Sequence, residues 1–398
     1  MSDHKTNILF ISTRQPDPNS GGGFHRTYQI YDELVSAFGK ESIHIPALQT
    51  PQKKETKLTS IKQAARQRSQ FIHLALRSGA YQKAMVDEIL VTNQSSYNLF
   101  KSFPIDTYDS YLDKHGRPDL CVADNCRYLP IIEFNLAHNI QTIFCPQNLD
   151  SLDLSAHLLA DSSHRKQCGI SFIYELDALT KSIPLLTSKM EISMMDALGI
   201  PSVYFPYLPV GEIKDRLLEI RTIRQRNRTN PNLFLMVASI NHTTTYEGYK
   251  WFFKNVLQYG LPPDIEILVG GWNSDVLGNE FPQIRGVKFL GKLDQPVLDE
   301  YMESALAVLI PQLSGFGSVT RIPEMSCAGI PMIVSQHALK AINTSPGVYS
   351  AQNEWSEWVH LIDEIKSHKP SVSHESYDTW EAEQPRPLID MIKHNLKG

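Results

Sequence analysis

Short runs of β-branched and aliphatic residues recur along the chain at helix-length intervals, in two separate sets. NILFIS, IHIPAL, DLCVAD, QTIFCP and IPLLTS make the first set; LFLMVAS, IEILVGG, VKFLG, LAVLIP and IPMIVS make the second. Each run is continuously apolar, the mark of a strand covered on both faces, and the intervening segments are long enough for crossover helices. The chain is therefore expected to be α/β, with two Rossmann-like halves, each a parallel sheet between helices. Its 398 residues give each half enough chain to bury a core of its own.

The boundary is expected near Val210, with YFPYLP as the crossing segment, so that residues 1–210 and 211–377 form the two domains. Residues 212–232 are rich in charge and carry no strand signal, which suits a surface helix and linker, its arginines solvated. The last stretch, HESYDTWEAEQPRPLIDMIKHNLKG, closes in a helical pattern over 378–398.

With 38 Lys and Arg against 43 Asp and Glu, the net charge is -5. No global positive field draws the chain to nucleic acid, and any anion site must be local. Cys121, Cys126, Cys145, Cys168 and Cys327 form no C-x-x-C pair, the N-terminus is too polar for a signal peptide, and no run approaches the ~20 apolar residues that span a bilayer. A cytoplasmic location is expected. One locally basic region, residues 53–83, carries interleaved apolar residues; it reads as a solvated helix face or as a peripheral contact with anionic lipid.

Ligands of open α/β sheets bind beyond the carboxyl ends of the strands, so the loops there are read first. After the first strand come Ser20, Gly21, Gly22 and Gly23, then His25 and Arg26 at a helix start. These suit either backbone amides approaching a phosphate or a tight turn. The most informative segment is PQLSGFGSVTRIPEMSCAGIPMIVS, with Gly315 and Gly317, then Ser318, Val319 and Arg321, and Glu324 one helical turn further on. A guanidinium beside loop amides suits a diphosphate, and a carboxylate accepts ribose hydroxyls. Read alone, Arg321 and Glu324 are equally a surface ion pair at i, i+3.

In its arrangement of a Gly-rich loop, a basic residue three before a Glu, then small residues, Gly and Pro before a strand, this segment resembles the donor-binding domain of GT-B glycosyltransferases, specifically the family 4 group of retaining, nucleotide-sugar-dependent enzymes. VASINHTTTYEGYKWFFKNVL, IEILVGGWN and VKFLGKLDQPVLDEYMESALAVLIP are similar to further segments of that domain; the Gly loop, PDLCVADN and FCPQNLDS fall in the expected order in the first half. The resemblance implies a cleft between two Rossmann-like domains, acceptor on the first and donor on the second, with the final helix crossing back onto the first.

Carried over residue by residue, it implies that Arg321 engages the donor diphosphate and Glu324 the ribose, as the catalytic pair. Ser239, His242, Gly317, Ser318 and Val319 complete the donor site, and Gly22 and Gly23 approach from the other domain. His25, Asp124, Asn125, Gln147, Asn148 and Asp150 are the candidates for sugar or acceptor. Each also has a bland reading, as a loop-forming or exposed residue. Cations and amides at the diphosphate would stabilise the leaving group, so no metal or other cofactor is expected. Partners would be a nucleotide sugar and a glycan, lipid-linked or other hydroxyl acceptor.

Three positions depart from the family pattern. Phe316 stands where many relatives carry a first Glu, Gln147 where many carry a His, and SINHTTTYEG lacks the usual basic pair. Phe316 and Gln147 keep an inactive or accessory subunit in view; a second alternative, a sugar-nucleotide epimerase, would need titratable groups in the cleft.

Overall fold

The computed structural model describes residues 6–12, 15–46, 111–124, 129–149, 151–152, 172–173, 175–282 and 284–396. Among them are two six-stranded sheets, each parallel throughout. The first runs in the order β2-β1-β3-β4-β5-β6, from β1 (Ile8–Ile11), β2 (Ile43–His44), β3 (Leu120–Ala123), β4 (Thr142–Phe144), β5 (Ile183–Leu186) and β6 (Val203–Tyr204). The second runs β12-β11-β10-β7-β8-β9, from β7 (Asn230–Val237), β8 (Glu266–Gly270), β9 (Val287–Gly291), β10 (Ala305–Ile310), β11 (Met332–Ser335) and β12 (Val348–Ala351).

All ten apolar runs are strands, and the two short strands β6 and β12 join the edges. The runs are continuous because β1, β3, β10 and β11 are buried on both faces. Ile8, Phe10, Val122 and Ile143 pack with Ile30 and Leu34 of helix α1 (Gly23–Phe38). In the second half Leu235, Val308 and Val334 pack on one face of the sheet, and Phe234, Ile267 and Leu309 on the other.

Three further helices bear on the cleft. Helix α2 (Lys189–Ala197) follows β5, α3 (Gly211–Arg226) follows the crossing segment, and α4 (Thr243–Tyr259) follows β7. The charged stretch after Val210 differs from the solvated face expected of it. Ile213, Leu217 and Ile220, at i, i+4 and i+7, put α3 into the second half's core, and Arg221 is buried with it. Arg224 donates to the carbonyls of Met302 and Ala305, at 2.7 and 2.5 Å. Arg221 donates to the Ser326 carbonyl, so both arginines satisfy carbonyls of the second half.

After β10 and its loop comes α5 (Arg321–Cys327). The C-terminal pattern resolves into two helices, α6 (His374–Ala382) and α7 (Pro387–Asn395). Pro385 and Pro387 interrupt it, since proline cannot continue the helical hydrogen bonds. Tyr377 of α6 stays in the second half's core, whereas Leu388 and Ile392 of α7 pack among Ile8, Phe10 and Ile30 of the first.

Candidate functional site in the cleft

The loops that leave the carboxyl ends of the two sheets meet each other. The Ser188 hydroxyl, after β5, donates to the Phe316 carbonyl, after β10, at 2.5 Å. The backbone N–H of Lys189 donates to the Ala341 carbonyl at 2.8 Å. Gly317 lies so close to Asn148 that a Cβ on the glycine would come within 3.0 Å of the Asn148 Cβ. The Gly-x-Gly loop of the second half therefore packs on the Gln147-Asn148 loop of the first.

Arg321 opens α5 at the carboxyl end of β7. Its Nη1 donates to the Val237 carbonyl at 2.8 Å and to the Tyr249 hydroxyl of α4 at 3.2 Å. Two hydrogen bonds to one nitrogen fix the guanidinium plane and leave its other N–H groups for a ligand, the fork geometry suited to phosphate. Burial raises the Tyr249 phenol above its ordinary value, so it stays protonated, and the neighbouring Arg321 charge offsets only part of this. Arg321 and Glu324 make no surface pair: their partners are different and lie in other elements.

Glu324 is only 8% exposed. Its Oε1 accepts from Tyr207, on the crossing segment, at 2.9 Å, and stands 2.6 Å from Nδ1 of His25 in the first turn of α1. The Tyr207 phenol is pushed well above its ordinary range by burial, and the Glu324 carboxylate reinforces this. It remains a donor to the carboxylate at any physiological pH.

The Gly-rich loop of the first half is held by Gln147, whose Nε2 donates to the Gly23 carbonyl at 2.9 Å and to Thr27 Oγ1 at 3.2 Å. A side chain on Gly23 would run into that amide. Gly22 takes a positive φ of 54° at the cap of α1. Asp124 is buried and accepts from Ser12 at 2.9 Å and Thr27 at 2.5 Å, tying β1, β3 and α1 together below the loop. These are hydrogen bonds of the loop-forming kind weighed for Asp124 beside a contact with sugar or acceptor.

Ser318 and Val319 lie between Gly317 and Arg321, and the Ser318 hydroxyl is buried without a partner among the described residues. Ser239 is half-buried just past β7, and His242 is exposed at the cap of α4. Phe316 packs against the apolar cluster of Ala123, Phe144, Leu149 and Leu186 in the first half. Asn125, Asp150 and the basic region 53–83 lie outside the described residues. Among those described, no three His, Cys, Asp or Glu side chains are grouped to hold a metal ion, and no helix is long and apolar enough to cross a membrane.

The sequence reading missed Tyr249 and Tyr207, whose positions depend on packing between elements. It also passed over Trp272. That residue follows β8, is 51% exposed, and has the Lys292 ammonium 5.2 Å from its ring centre. Val237 pairs in register with Gly270, and Gly270 with Gly291. Arg321, Trp272 and Lys292 thus line the carboxyl edge of three neighbouring strands, spaced ~4.8 Å apart.

No protein-family model matches the sequence, and no curated protein matches it. Solved structures do match in fold. Sucrose-phosphate synthase from Thermosynechococcus elongatus superposes with a TM-score of 0.63 at 14% identity, over 98% of each chain. HepE from Anabaena, in complex with UDP and glucose, gives 0.59 at 10% identity over 98% of this chain and 99% of that one. The α,α-trehalose 6-phosphate synthase of Burkholderia multivorans gives 0.57 at 11% identity over 99% and 97%. The two facing parallel sheets are those of the GT-B fold.

Proposed function

We propose that the chain is a glycosyltransferase of the EC 2.4 class that moves a sugar from a nucleoside diphosphate to a hydroxyl acceptor, with retention of anomeric configuration and in glycan or surface polysaccharide synthesis. The observation that carries this reading is Arg321, held by Val237 and Tyr249 at the carboxyl edge of the second sheet, beside a Gly-x-Gly loop packed on the other half. In this reading Arg321 takes the diphosphate, with Ser318 and the backbone around it, and stabilises the negative charge that develops as the sugar leaves. Glu324 accepts from the ribose. Trp272 offers the nucleobase a flat surface one strand away. Gln147, unable to act as acid or base, serves only as a hydrogen-bonding group at the sugar.

The HepE structures in complex with UDP and with UDP-glucose lend the donor class support by fold. Retention and the polysaccharide pathway rest on the resemblance to the family 4 group. Phe316 favours a second reading, an accessory subunit without turnover, because its ring and the apolar cluster it packs on supply no carboxylate to a donor sugar. Incubation with a panel of nucleotide sugars separates the two: release of nucleoside diphosphate supports the enzyme, and binding without release supports the accessory subunit.

A further inference from the structure

We propose that His25 is a positioning residue for Glu324: its Nδ1–H, donated from the first half, fixes the carboxylate that takes the ribose hydroxyls. This rests on the reading of Glu324 as the ribose-binding group. His25 Nδ1 lies 2.6 Å from Glu324 Oε1, within hydrogen-bond reach, and in this proposal it is the donor and the carboxylate the acceptor. Tyr207 donates to the same oxygen. Oε1 is then held from two sides, and Oε2 is the oxygen turned to a ligand.

Both donors stand on the first half. His25 belongs to α1, and the residues on either side of Tyr207 are bonded to that helix: Gln29 donates to the Pro206 carbonyl at 3.2 Å and accepts from the Leu208 backbone N–H at 3.4 Å. The contact is not well explained as a strut that holds the fold together. His25 is 5% exposed, and its Nε2 is buried with no partner among the described residues, a desolvation that works against stability. A pair kept despite that loss fits a role in aligning the carboxylate.

The test uses the full chain and calorimetric binding of UDP, GDP, ADP and dTDP, followed by the 2′,3′-dideoxy analogue of whichever binds best. His25→Ala should weaken that nucleotide about tenfold, the size a charge-assisted hydrogen bond supports. It should also abolish the preference for the form bearing ribose hydroxyls, while inorganic pyrophosphate binds as to the wild type. His25→Asn, whose amide N–H takes the place of Nδ1–H, should restore affinity and preference to within about threefold of wild type; His25→Gln, whose amide takes the place of Nε2, should not. If His25→Ala fails to fold, the contrast between Asn and Gln decides. Unchanged affinity and hydroxyl preference in His25→Ala, or an Asn variant no better than the Gln variant, would overturn the proposal. Failure of the donor reading looks different: the wild type then binds none of the four diphosphates, and the proposal falls with it.

Discussion

Nη1 of Arg321 lies 2.8 Å from the carbonyl oxygen of Val237, the last residue of β7. The guanidinium is thereby tied to the end of a central strand of the second sheet, and α5 cannot shift without moving it. Because Tyr249 shares the same nitrogen, lysine is a poor substitute: one ammonium cannot keep both contacts and also offer a planar fork. Arg321→Lys should weaken nucleoside diphosphate binding by about tenfold and Arg321→Ala by about a hundredfold, a loss of ~1.4 and ~2.7 kcal/mol. Calorimetry on each variant measures this, and a melting temperature close to wild type shows that the fold is kept.

Trp272 and Lys292 give a complementary expectation. If the exposed ring carries the base, Trp272→Ala should weaken nucleoside diphosphates by ~1–2 kcal/mol and leave pyrophosphate untouched, since pyrophosphate has no base to lose. Equal weakening of both ligands would place the effect at the phosphates instead.

Gly23 and Gln147 should behave as a coupled pair. A methyl group on Gly23 displaces the Gln147 amide, whose far end is flexible, so Gly23→Ala should cost ~1 kcal/mol of stability and lower transfer activity. Gln147→Ala removes the obstacle as well as the hydrogen bond. The double variant should be less impaired than the sum of the singles by 0.5 kcal/mol or more, on the order of other contacting pairs. Additive losses in a double-mutant cycle would contradict the contact.

Much of the fold was legible in the sequence because buried parallel strands are continuously apolar. LFLMVAS and LAVLIP need no partner to be recognised, whereas Arg321 and Glu324 took their reading from the resemblance to the GT-B donor domain, since their spacing alone suits a surface ion pair equally well. What escaped were contacts between elements distant in the chain. Tyr207 and Glu324 are 117 residues apart, and Tyr249 and Arg321 are 72 apart. No local pattern marks such pairs. The buried Arg221 and Arg224 escaped for a different reason: in sequence a guanidinium that satisfies buried carbonyls looks the same as one in water, although Ile213, Leu217 and Ile220 at helical spacing already marked a buried face.

The pH dependence of stability should be one-sided in alkali. Burial pushes the Cys121 and Cys145 thiols to about 12, and the Tyr204 phenol to about 12. The folded chain then keeps protons that the unfolded chain releases from about pH 9 upward, so the stability these groups contribute is whole below that pH and is lost as pH rises toward 12. Arg26 and Arg224, lowered by burial to about 10, act in the opposite sense and slow the decline. Urea midpoints measured from pH 7 to 11 should be flat to about pH 9 and then fall, and the native thiols at Cys121 and Cys145 should resist alkylation until the chain unfolds.

The central claim is that this cleft binds the diphosphate of a nucleotide sugar through Arg321. Thermal unfolding of the wild type and of Arg321→Ala with a panel of UDP-, GDP-, ADP- and dTDP-sugars tests it most directly. At least one donor at a hundred times its Kd should stabilise the wild type by about 2.7 kcal/mol, raising its melting temperature by several degrees, and at the same concentration the variant, with a hundredfold weaker site, should gain only ~0.4 kcal/mol. A wild-type protein that no donor stabilises, or an Arg321→Ala variant stabilised as much as the wild type, would contradict the claim.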